Sequence, residues 1–202
     1  MKSAGITVIV VACLVGGILL YEALKPERMN EPTAAEIKVQ MDKLRAEAAQ
    51  KNPNLPVSDA IKEEATKQAS AMLKGSGGES RARTAAGLFF GSYYMNTRAR
   101  PAYCRQRGVD LTPFVTAFDQ THRTELIRAR EILARAGIDP ESMVPKLQAE
   151  FVSLVEQDMK DFAAGAQVQP ESACELFNQN SKIIAEAIVL PADVKQALMA
   201  ND

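Results

Sequence analysis

Residues 5–21, GITVIVVACLVGGILLY, form a run of seventeen residues without a charge, ended by Glu22. Such a run must be buried in a core, inserted in a bilayer or removed. As a helix rising about 1.5 Å per residue it is roughly 26 Å long, a little under a bilayer core of about 30 Å. Ala4, Ala23 and Leu24 lengthen it, and Glu22 and Lys25 are placed to snorkel toward headgroups. A cleaved signal peptide needs a shorter apolar region and small residues at the cut, whereas Tyr21-Glu22-Ala23 presents a bulky tyrosine there. The expectation is a retained single-pass signal-anchor within residues 1–25, contacting the membrane through residues 5–24.

Two local patterns suggest other fates. Val10-Val11-Ala12-Cys13 resembles a bacterial lipoprotein cleavage box, which implies that Cys13 becomes an acylated N-terminus, yet the apolar run continues well past the cysteine. Gly5-Ile6-Thr7-Val8-Ile9 behind the leader MKSA resembles a type IV prepilin processing site, which implies a component of a pilus-like or secretion assembly. Val10 stands where that family has Glu, and no strand pattern for a pilin head follows. Charge does not orient the anchor: Lys2 stands on one side, and Lys25 and Arg28, diluted by Glu22 and Glu27, on the other.

Beyond the run the chain is rich in Ala, Leu, Met, Glu, Lys, Arg and Gln, has no Trp, and lacks alternating β-branched segments bounded by tight turns. The fold class expected is all-α. Charge is unevenly spread: residues 84–136 hold eight Arg, no Lys and four acids, and residues 137–202 hold four Lys and eleven acids. No basic run is dense enough to track a phosphate backbone, so nucleic acid is not an expected partner.

Pro26 and Pro32 bracket a linker, and Thr33-Ala-Ala-Glu36 reads as a capping box for a helix ending near Lys51. Asn52–Pro56 breaks it, and a second helix opens at Ser58 or Asp59. Both are rich in charge with thin apolar stripes (Ile37, Met41, Leu44 and Ala48, then Ile61, Ala65 and Met72), which predicts a charged stalk over residues 26–78. Lys74-Gly-Ser-Gly-Gly78 reads as a flexible hinge. Residues 79–202 then predict a four-to-five-helix bundle. One helix spans 84–98, with Gly87 and Gly91 allowing close approach of a neighbour. A second is long, opened by Thr112-Pro113 and stopped by Gly137. A third is opened by Asp139-Pro140 and runs to Gly165, a fourth is opened by Pro170, and a short tail begins at Pro191.

Cys104 and Cys174 fall at helix ends, where bridging geometry is accessible, and their pairing predicts one disulfide and an oxidising compartment. That orients the chain: N-terminus in the cytoplasm, domain in the periplasm or outside, anchored in the inner (cytoplasmic) membrane. His122, the only histidine, has Glu125 one turn on, but no further ligand set or nucleophile elbow accompanies it. It is expected to be structural, with a hydrolase using His122 as an alternative function. No cofactor fingerprint or metal site is expected. The least generic segment, residues 93–107, gathers Tyr93, Tyr94, Arg98, Arg100, Tyr103, Arg105 and Arg107 around a helix break at Pro101, and these seven are the candidate interaction surface. The alternative is that the arginines cap helix C-termini and pair with the acids of residues 150–161. The function expected is non-enzymatic: binding, scaffolding or inhibiting another envelope protein, with homo-oligomer formation through the stalk left open.

Overall fold

The computed structural model describes residues 34–200, Pro56 excepted. The apolar run, both processing-site resemblances and Thr33 lie outside the described residues. Among the described residues the chain is helical, without strands, and no helix is long and apolar enough to cross a membrane.

Helices α1 (Ala34–Lys51) and α2 (Val57–Lys74) pair as a hairpin around the Asn52–Pro56 breaker. α3 (Gly78–Tyr94) follows, passes through a π-helical turn (Met95–Ala99) and continues as α4 (Arg100–Arg105). α5 (Thr112–Thr121) and α6 (Arg123–Arg135) come next, then a 3-10 turn (Pro140–Met143) that feeds α7 (Val144–Ala166). α8 (Pro170–Gln179), α9 (Ser181–Ala187) and α10 (Ala192–Met199) complete the described chain. α3 lies against α6 and α10, α9 against α5, and α8 against α7. Gly87 and Gly91 are buried on α3.

The core is an aromatic chain. Phe162 meets Phe177 at 5.0 Å between centroids, Phe177 meets Phe114 at 5.1 Å, Phe114 meets Phe118 at 5.9 Å, and Phe118 reaches Tyr93 at 6.4 Å beside Phe89 and Phe90. The two edge-to-face contacts of Phe177, with Phe162 and Phe114, add about 0.5–1.5 kcal/mol each beyond the area they bury. The Cys104–Cys174 disulfide ties α4 to α8 beside this chain, with Cα atoms 5.6 Å apart.

Several expectations are corrected. The two charged helices do not stand away as a stalk: Leu44, Ala48, Ala60, Ile61, Ala65, Ala69 and Leu73 are buried with the bundle's core, and α1 and α2 touch α7, α3 and α10. An alanine-lined stripe is thin by side-chain volume, yet it lets a helix backbone come close, so burial does not need large residues. The long helices expected after Thr112 and Pro170 are each broken in two, at His122 and Asn180, which carry non-helical dihedrals near −106°, 18° and −117°, 25°. Gly137 ends α6 with φ +69°, as its position predicts, but α7 ends at a left-handed Gln167 (φ +57°) rather than at Gly165.

Candidate functional site

Pro101 was expected to interrupt the helix after Arg98; instead the helix widens and continues. A proline ring presses on the carbonyl four residues back and lacks an N–H. The π turn over Met95–Ala99 absorbs this by shifting the register, so that the Arg100 N–H donates to Met95 O, five residues back. Side chains cover carbonyls in the widened turn: Asn96 Nδ2 donates to Ser92 O and Thr97 Oγ1 to Tyr93 O, both at 2.9 Å.

The turn delivers Arg100 to the inside of the molecule. Its side chain is 0% exposed, and its Nη1 donates to Asp158 Oδ2 at 2.6 Å, with Asp158 only 2% exposed. Arg100 Nε donates to Asn96 Oδ1 at 3.2 Å, Nη1 also lies 3.1 Å from Met159 Sδ, and the guanidinium sits 4.7 Å above the Phe177 ring. Phe177 follows Cys174 by three residues and Arg100 precedes Cys104 by four, so the disulfide and the cation–π contact are successive rungs between α4 and α8. Burial pushes the Asp158 carboxyl up to about 6; Arg100 opposes this, Asp161 adds to it, and Lys62 of α2 also opposes it. Arg100 Nη2 and Asp158 Oδ1 are buried without a hydrogen-bond partner.

The seven candidate surface residues separate. Tyr94, Arg100 and Tyr103 are buried, which corrects their assignment to a surface. Arg107 is half-buried: its guanidinium lies 3.5 Å from the Tyr103 ring centroid, and its Nη1 donates to Tyr103 O at 3.0 Å. Tyr93 is also half-buried, and burial, followed by Asp119, raises its phenol pKa. Arg98 and Arg105 are exposed, and among the described residues no carboxylate forms an ion pair with either. Exposed lysines behave differently: Lys38, Lys43, Lys67, Lys160 and Lys182 each pair with a carboxylate four residues away on their own helix. A free arginine fork can still take a carboxylate or phosphate with two bonds.

His122 is 7% exposed at the α5–α6 break. Its Nε2 lies 3.1 Å from Ala185 O, which as an acceptor places the ring proton on that nitrogen, and its ring is 4.4 Å from Phe118. Burial lowers the imidazole pKa, with the Ala185 carbonyl and Glu125 opposing. Burial also raises the Glu125 carboxyl, but Lys195, its hydrogen-bond partner at 2.7 Å, together with backbone and His122 contributions holds it below the usual range. Histidine and glutamate thus each face a partner inside the fold. Among the described residues no three His, Cys, Asp or Glu side chains gather to hold a metal.

The sequence leaves the arginines of residues 93–107 open to pairing with the acids of residues 150–161, and the Arg100–Asp158 pair is one such contact. What the sequence does not mark is that both groups are buried. Their one signal is an Asp at position 158 on the apolar stripe between Leu154, Val155 and Phe162. Comparison with protein-family models, curated proteins and solved structures finds no match for this chain. The fold and the site define it as an all-helical bundle stapled by one disulfide around a buried ion pair.

Proposed function

We propose that the chain is a membrane-tethered, extracytoplasmic helical module that binds another envelope protein and performs no chemistry itself. The observation that carries this reading is the bonded Cys104, which ties the segment presenting exposed, unpaired Arg98 and Arg105 to α8. A disulfide suits an oxidising compartment, and the uncharged run at residues 5–21 supplies a tether. Interfaces favour arginine and tyrosine held on rigid supports, since little side-chain entropy is then lost on docking. The partner surface offered is Arg98 and Arg105 with the half-buried Tyr93 and Arg107.

The test is chemical cross-linking in native membranes, comparing the unaltered chain with Arg98→Glu/Arg105→Glu, a control Lys43→Glu, and His122→Ala. A partner captured by the unaltered chain, the control and the histidine variant, and lost from the double variant, supports the reading. Equal capture by all four, or loss confined to His122→Ala, contradicts it.

A further inference from the structure

The two helices joined by the disulfide carry unmatched charge of opposite sign. On the helix that runs from the π turn into α4, Arg98 and Arg105 are exposed, while Arg100, Pro101, Tyr103 and Cys104 between them are buried. On α8, Glu171 and Glu175 are exposed, while Ala173, Cys174 and Phe177 are buried. Among the described residues neither glutamate has an ion-pair partner, and neither arginine pairs with a carboxylate. Elsewhere exposed charges are matched along their own helices, as in Lys43–Glu47, Lys67–Glu63 and Lys182–Glu186, and on neighbouring α7 Lys160 pairs with Glu156 at 2.9 Å. Glu171 and Glu175 instead stand four residues apart on one helix, where like charges repel. Arg105 and Glu175 each follow a bonded cysteine, and the cysteine Cα atoms are 5.6 Å apart, so their own Cα atoms lie within about 13 Å of each other. Even so, they form no pair. The Cys104–Cys174 bond and the Arg100–Phe177 contact set α4 and α8 antiparallel. Arg98 and Glu171 therefore mark opposite ends of one patch, with Arg105 and Glu175 near its middle.

We propose that this patch binds a second copy of the same chain, as a twofold dimer in which Arg98 and Arg105 of each copy meet Glu171 and Glu175 of the other. A twofold axis lying across α4 and α8 beside the disulfide reverses the patch end for end, so that basic end meets acidic end twice. An isologous interface requires self-complementarity of this kind. A partner of one sign of charge satisfies half of the patch and sets like charge against the other half. Exposed ion pairs are individually weak and are screened by salt, so the dimer is transient and salt-sensitive. It also covers the arginines offered to an envelope partner, so self-association and capture of that partner compete for one surface. The dimer rests on the patch alone and goes beyond the binding-module reading.

The experiment is sedimentation of the full chain in density-matched detergent, at ionic strengths of about 0.01 M and about 1 M, where charges act over about 30 Å and about 3 Å. The unaltered chain is expected to be dimeric at low salt and monomeric at high salt, a readout that needs no variant. Arg98→Glu/Arg105→Glu makes the patch wholly acidic, and Glu171→Arg/Glu175→Arg makes it wholly basic. Each variant alone is expected to be monomeric at low salt. Mixed in equal amounts, with a fluorescent label on one, the two are expected to associate at least about 10-fold more tightly with each other than either does with itself. That recovery also shows that both variants are folded. A monomeric unaltered chain at low salt overturns the proposal. So does a dimer that neither salt nor either variant weakens, or a mixture that stays monomeric while both variants keep the circular dichroism of the unaltered chain. The binding-module reading is scored separately, by the mass of the species cross-linked in native membranes. A chain that dimerises but captures no other protein removes that reading and leaves the dimer standing; a monomeric chain that captures a partner does the reverse.

Discussion

The hairpin of residues 34–74 and the bundle from Gly78 onward are both helical, yet different chemistry holds them together. All seven phenylalanines lie between Phe89 and Phe177, where rings touch in series and one ring carries a buried guanidinium. The hairpin packs with alanine and displays surface charges paired along its own helices, such as Lys38–Asp42 and Lys67–Glu63. Pairs of that kind contribute a few tenths of a kcal/mol each. Helicity therefore says little about which part of a chain resists opening; what the helices bury decides it. In this protein the resistant part also carries the disulfide and the exposed arginines.

Changes to the bundle's centre should test the contrast most severely. Asp158→Ala leaves Arg100 buried without its carboxylate, and breaking a buried pair on one side costs about 3–5 kcal/mol. Denaturant unfolding should show this loss, and pairing it with Arg100→Met should recover much of it, because the stranded charge is then gone. Severing the staple comes next: Cys104→Ser/Cys174→Ser releases a loop with a sequence separation of 70 and should cost about 4 kcal/mol by chain entropy. In the hairpin, Ile61→Val should cost about 0.5–1.5 kcal/mol. Its effect should appear as faster hydrogen exchange in α1 and α2, with the bundle's exchange unchanged. A loss spread evenly over every helix would remove the contrast.

pH offers a milder probe. His122 is held neutral, its folded pKa below the ordinary 6.5. Its contribution to stability is therefore fully present above about pH 6.5 and is lost as pH falls toward the depressed value. Asp158 acts in the opposite sense: raised from 3.8 to about 6, it favours folding below its unfolded value and loses that contribution as pH rises through about 6. Unfolding measured from pH 7.5 to 4.5 should therefore show opposite effects of the two variants: His122→Gln removes a loss of stability on acidification, and Asp158→Asn removes a gain. The reverse pattern would contradict the assigned environments of both groups.

The sequence shows its helices where punctuation is chemical. Asp139 accepts from the Glu141 N–H and begins the turn that its Asp-Pro-Glu spelling predicts, and Gly137 supplies a left-handed stop. The pairing of Cys104 with Cys174 was legible for a similar reason, since two cysteines at element ends leave few alternatives. The breaks at His122 and Asn180 carry no proline or glycine. At Asn180 the mark is local and was overlooked, since the side-chain amide donates to Leu176 O at 2.9 Å and Ser181 Oγ to Asn178 O at 2.6 Å. The burial of Arg100 was not legible because its inward direction depends on a π turn that shifts every later side chain around the helix axis. The helices read as a stalk were judged by large apolar residues, whereas their packing rests on Ala48, Ala65 and Ala69, all 0% exposed.

The most direct test of the central claim is the intact mass of the chain taken from its native membranes, denatured and alkylated without reduction. The account predicts a full-length chain with one modified thiol, Cys13, as the Cys104–Cys174 bond and the proposed extracytoplasmic location together require. A chain modified at all three cysteines would contradict it, since the staple, the compartment and the rigid support beneath Arg98 and Arg105 would fall together.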